Sequence, residues 1–116
     1  MYSIAELNEE LRRLSTEMDE AHKDLVKRNY DHALAQNEYR KRKAELFIQS
    51  TGTVDLRKAI VDEACEAERL DAYIKEGMKE AAIERVRNCR VQMSALQTLC
   101  HSVRIEIEQL SAPEPI

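Results

Sequence analysis

Three histidines and three cysteines are the residues of this chain best suited by type to metal binding or nucleophilic chemistry. His22, His32 and His101 fall on different faces of the helices that would carry them. The Glu-x-x-His repeat of di-iron helical bundles has its nearest counterpart in Asp19-x-x-His22, which stands alone. Cys65, Cys89 and Cys100 are odd in number and lack C-x-x-C or zinc-type spacing, which argues against a disulfide framework or a structural metal and for a reducing cytoplasm. Cys89 and Cys100 take positions where a helix buries small apolar side chains. On a helix His101 points about 100° away from Cys100, so it is badly placed to lower that thiol's pKa. There is no glycine-rich phosphate loop and no G-x-S-x-G elbow. The expectation is a non-enzymatic protein with no catalytic residue, no cofactor and no metal.

Charge offers the second kind of chemistry. Arg40, Lys41, Arg42 and Lys43 are consecutive, and Lys27, Arg28 and Tyr39 lie near them in sequence, so this stretch could contact nucleic acid or an acidic partner. The stretch from Asp62 to Asp71 is acidic and could imitate DNA. A plainer reading pairs the two stretches with each other. Residues 23 to 43 carry a net charge of +4 and residues 60 to 80 a net charge of −4, so helices folded face to face would match. The whole chain has a net charge of −4, which argues against non-specific binding of nucleic acid over its full surface.

The elements that must carry these residues are helices. Charged residues make up 34% of the 116 residues and aromatic residues 4%, with only two glycines and two prolines to build turns, a composition of long or coiled helices. Ser3 and Glu6 form a capping box, with Tyr2 placed to staple onto Leu7. Ile4, Leu7, Leu11, Leu14, Met18, Ala21 and Leu25 then alternate spacings of three and four, the pattern of a narrow buried seam. Beyond Leu25 the same frame would bury Arg28, His32 and Arg42, so the stripe is expected to drift onto Val26, Tyr30, Ala33, Asn37, Ala44 and Phe47. Gln49 to Thr53 holds the one interior turn signal, with Gly52 suited to a left-handed cap and Thr53 to an N-cap.

The second helix is expected to bury Ile60, Ala64, Ala67, Asp71, Ile74 and Met78, then to shift frame near Gly77 with a slight bend. Its second seam is Val86, Cys89, Met93, Leu96, Cys100, Val103, Ile107 and Leu110. The expected architecture is all-α, a long antiparallel helical hairpin over residues 1–110, with a helix at 3–49, a turn at 50–53 and a helix at 54–110. Pro113 and Pro115 make residues 111–116 a flexible tail. Folding about Gly52 pairs residue i with roughly residue 104 − i. No apolar run is long enough to span a membrane, and no secretory pattern opens the chain, so a soluble cytoplasmic protein is expected. Two helices cover each other on one side only. Ile83, Leu99 and Ile105 are therefore expected to form an oligomer interface, a dimer packing as a four-helix bundle, or a docking face for another protein.

Ser50-Thr51-Gly52-Thr53-Val54 with Arg57-Lys58-Ala59, followed by Arg90 and Ser94-Ala95-Leu96-Gln97-Thr98-Leu99, resembles a group of small helical proteins of tailed bacteriophages over residues 45 to 110. The resemblance implies an accessory protein from among replication and recombination genes and supplies no functional residues. The leading expectation is an interaction or regulatory protein, phage-encoded, that self-associates and binds a host or phage protein through helical faces. The alternatives are a nucleic-acid accessory factor in phage replication or recombination, and an inhibitor of a host nuclease or defence complex that presents acidic helices.

Overall fold

The structure is a computed structural model and describes residues 3–111. Three helices follow in order, α1 (Ile4–Gln49), α2 (Val54–Ala64) and α3 (Glu66–Ser111), with no strand among the described residues. Ser111 thus closes α3, while the rest of the expected tail, 112–116, lies outside the described residues, as does Tyr2 of the expected staple. The chain divides into two compact units, one joining residues up to His22 with those from Glu84 onward, the other Lys23–Ile83.

Helix α1 opens as its first residues dictate. Glu6 N–H donates to Ser3 Oγ at 3.1 Å and Ser3 N–H to Glu6 Oε2 at 3.4 Å, so the capping box closes in both directions. At its far end the chain reverses through Gly52, whose φ of 112° lies where side chains are strained. Thr53 Oγ1 then accepts from Leu56 N–H at 3.3 Å and starts α2. Arg57 fastens this reversal in a way its local sequence does not announce. Its guanidinium lies 4.1 Å over the Phe47 ring, and it donates to Ser50 Oγ at 3.2 Å and to Phe47 O at 2.5 Å, a carbonyl at the end of α1 that also accepts from Ser50 Oγ at 2.9 Å.

Between α2 and α3 only Cys65 leaves helical geometry, with φ −98° and ψ 8°. The bonds from Cys65 N–H to Val61 O and from Arg69 N–H to Cys65 O, both 2.9 Å, carry the helical spacing across it. This interruption was not expected; at Gly77, where a slight bend without a break was expected, α3 runs on unbroken. A Cβ at Gly77 would meet nothing within 4 Å, whereas one at Gly52 would sit 3.1 Å from Leu56 Cδ2. Opposite effects are expected from one substitution at the two sites. Gly77→Ala raises stability by roughly 0.5–1 kcal/mol through helix propensity, and Gly52→Ala lowers it by about 1–3 kcal/mol through backbone strain; urea denaturation of each variant reads both.

In each unit α1 runs antiparallel to α3. In the first, Arg85 Nη2 lies 3.9 Å from Glu20 Oε2; in the second, Arg42 Nε lies 3.5 Å from Glu68 Oε1 and Arg28 Nη1 donates to Met78 Sδ at 3.9 Å. The 104 − i rule is therefore met to within one or two residues at Glu20 and Arg28, and slips by six at Arg42.

The buried positions correct the expected drift. On α1 the buried residues and the half-buried ones in line with them keep one heptad frame, Leu7, Leu11, Leu14, Met18, Ala21, Leu25, Arg28, His32, Ala35 and Tyr39, while Val26, Tyr30, Ala33, Asn37 and Ala44 are exposed and only Phe47 is half-buried. From α2 onward the frame runs Val61, Cys65, Glu68, Ala72, Lys75, Lys79, Ala82, Val86, Cys89, Met93, Leu96, Cys100 and Val103, with no shift near Gly77. Ile60, Ala64, Ala67, Asp71, Ile74 and Met78, expected inside, are exposed, as are Ile107 and Leu110. A constant frame needs no local change in helical winding, which the drift would require. Arg28 and His32 are tolerated because long or amphipathic side chains bury their stems and keep their polar ends at the edge; Arg28 does so beside Asp24, at 3.4 Å.

Candidate interaction surfaces

The constant frame leaves two apolar stripes uncovered in the unit Lys23–Ile83. One runs along the outer face of α1 through Val26, Tyr30, Leu34 and Ile48, the first of them 71% exposed. The other runs along α2 and α3 through Leu56, Ile60, Leu70, Ile74 and Met78, with Ile60 47% exposed. Of these residues Val26, Tyr30, Ile60, Ile74 and Met78 were expected inside, and Leu34, Ile48, Leu56 and Leu70 carried no expectation.

The basic residues distribute themselves unevenly against these stripes. Lys27, Arg40, Lys41, Arg42 and Lys43 are exposed and Arg28 is half-buried. Four consecutive residues on a helix point in four directions, so 40–43 do not form one patch. Lys41 lies on the outer face with Tyr30 and Leu34, Lys27 at its edge about 21 Å away, Lys43 leans over the Tyr39 ring at 5.7 Å, and Arg42 turns to Glu68. The ion pairs of this unit join Arg28 to Asp24, Arg42 to Glu68, Arg69 to Glu66 and Lys75 to Asp71. Only the second crosses between α1 and α3, so the facing charges of 23–43 and 60–80 are matched at a single place. Glu68 is half-buried and keeps its second oxygen, Oε2, without a partner.

The unit formed by the chain's two ends carries a groove of about 870 Å³ between α1 and α3. Leu7, Leu14, Ala95, Leu96 and Leu99 make its apolar floor and walls, and Glu6, Glu9, Glu10 and Arg13 stand along one rim. Of the residues expected at an oligomer interface, Leu99 lines this groove and is exposed, Ile105 is exposed outside it, and Ile83, in the other unit, is half-buried.

On the rim Arg13 donates from Nε to Glu10 Oε1 at 2.9 Å and holds the Glu10 carboxyl below the usual carboxylate range, while Glu10 and Glu17 push the Arg13 guanidinium up. Arg69 does the same to Glu66. A lowered carboxylate pKa stabilises the fold above the unfolded-state value and stops doing so as pH falls through the folded one. Both carboxylates reach solvent, so water screens the effect.

His22 and His32 are half-buried at the seam edge, His101 is exposed, and Cys65, Cys89 and Cys100 are buried free thiols. Among the described residues no group of three or more histidine, cysteine or acidic side chains converges as a metal site would require, and no helix is long and apolar enough to cross a membrane. Compared with models of protein families, with curated proteins and with solved structures, the chain matches none of them.

Proposed function

We propose that the chain is a non-enzymatic interaction protein that works through its helical faces, self-associating and binding a host or phage protein in the cytoplasm. The observation that supports this reading is the amount of ordered apolar surface left along α1, α2 and α3. Exposed apolar stripes of this length, interrupted here by Asn37 and Lys41 on α1 and by Glu63 on α2, are the kind of surface that association covers. A dimer packing as a four-helix bundle would cover one stripe of each copy. A phage origin rests on the resemblance at residues 45 to 110 alone. The test is light scattering of the purified chain together with affinity capture from host lysate. A mass above the monomer or a stoichiometric retained protein is expected; a strict monomer that retains nothing contradicts the proposal.

A second reading has its own observation, the exposed Lys27, Arg40, Lys41 and Lys43, none of which enters an ion pair among the described residues. They suit a nucleic-acid accessory factor. Retardation of DNA at low salt, lost when residues 40 to 43 are neutralised, is its expected signature, and no retardation at low salt removes it.

A further inference from the structure

We propose that the outer stripe of α1 in one copy packs antiparallel on the outer stripe of α2 and α3 in a second copy. This contact rests on the reading of the chain as an interaction protein and names a copy of itself as a partner. The two stripes match step by step. The antiparallel alignment that sets Tyr30 against Ile74 also sets Val26 against Met78, Leu34 against Leu70 and Lys41 against Glu63. All six apolar residues are exposed, the least so being Met78 at 38%. Lys41 and Glu63 are exposed as well and take no part in the ion pairs of their unit.

Within the unit α1 and α3 already meet through their inner faces, so neither helix covers the outer stripe of the other. Opposite charge is also left over. Residues 23 to 43 and 60 to 80 carry +4 and −4, and the Arg42–Glu68 pair is the one place where an ion pair joins α1 to α3 there. Nucleic acid would place phosphates against Val26, Leu34 and Ile48 along with the lysines, leaving apolar surface that phosphate does not cover. An apolar helix with acidic flanks covers both, and α2 with α3 is such a helix. From Val26 to Ile48 the stripe spans about six helical turns, roughly 34 Å. A contact of that length hides on the order of 1,000 Å² in total, the lower end of specific interfaces, so association should be concentration-dependent. The faces are unlike: on α1 the stripe lies opposite the buried seam, on α3 about a third of a turn from it. Copies are therefore joined head to tail, and not through one self-complementary patch.

Sedimentation equilibrium of the full chain at low salt tests this with Lys41→Glu, Glu63→Lys, their equimolar mixture and Ile74→Asp. The wild type should exceed monomer mass, and each charge reversal should weaken association roughly tenfold, the effect of exchanging one attraction for one repulsion. Mixing the two variants should restore it, since the carboxylate placed at position 41 of one chain then faces the ammonium placed at position 63 of the other. Ile74→Asp should be monomeric with unchanged helix content. Failure of the mixture to regain mass overturns the proposal. So do charge reversals that alter only the melting temperature of a chain monomeric throughout, which would set the stripes against each other within one chain. Loss of DNA retardation in Lys41→Glu without any change in mass overturns it too, in favour of nucleic acid. A monomeric wild type that still retains a host protein overturns the self-contact and leaves the broader interaction reading standing.

Discussion

Replacing Leu14 by alanine should lower the free energy of unfolding by about 2–4 kcal/mol, because this side chain is 2% exposed and one of few large ones wholly buried. With Leu7, Leu14 supplies much of the buried apolar volume that α1 contributes to its unit; the neighbouring buried positions are filled by smaller residues, Ala21, Val86, Cys89 and Cys100. The loss stays below the upper end of such substitutions because Leu14 also borders the open groove, so water enters the space vacated instead of leaving a void. Leu99→Ala, on the same groove but 38% exposed, should cost about 1 kcal/mol or less. Urea denaturation followed by circular dichroism reads both. Equal losses at the two sites would mean that the groove is closed by a bound surface and that Leu99 is as buried as Leu14.

The other large effect is expected at Val61. An aspartate there places a carboxylate at a position 1% exposed, with no cation recorded against it, and a buried unpaired charge costs about 3–5 kcal/mol. That is a large part of the stability of any small domain. Ile60→Asp, one residue earlier and 47% exposed, should change stability by about 1 kcal/mol or less, and should instead reduce self-association. Thermal melts of the two variants decide between two frames for the same helix. Had the apolar stripe of Ile60, Ile74 and Met78 been the buried one, Ile60→Asp would be the damaging change and Val61→Asp the mild one.

That contrast marks where the sequence was legible. The stretches Leu7 to Leu25 and Val86 to Val103 follow strict heptad spacing, so their buried and half-buried residues can be named from spacing alone, whereas Ile4, expected to begin the first seam, is exposed. The capping box at Ser3 and the turn at Gly52 could also be read, since each depends on residues within three positions of one another. Between them, residues 26 to 48 and 56 to 81 carry two competing stripes. The more apolar of the two faces outward, and the buried one includes Arg28, His32, Glu68, Lys75 and Lys79. Hydrophobicity alone chooses the wrong stripe there. The usable signal was continuity: the frame set by Leu7 to Leu25 extends through Ala35, and the frame of Val86 to Val103 extends back to Val61.

Two features had weaker signals or none. Arg57 offers only a cation a few residues beyond the end of α1, and its contact with the Phe47 carbonyl depends on how tightly the chain reverses. Nothing in the types of Ala64, Cys65 and Glu66 announces the interruption between α2 and α3. Of the candidate surface, the basic residues were found from sequence, but their partition between the outer face, the Tyr39 ring and Glu68 needed the helix geometry.

The chain's own thiols test the frame most directly, because Cys65, Cys89 and Cys100 all occupy it and are at most 9% exposed. Their rates of modification by an aromatic disulfide reagent should be compared in native buffer and in denaturant, using the Ile74→Asp chain so that association does not shield them. All three should react at least roughly a hundredfold more slowly in native buffer, where reaction waits on opening of the fold, and Cys65 should be the slowest. Native Cys65 reacting as fast as it does in denaturant would contradict the frame and the uncovered stripes inferred from it.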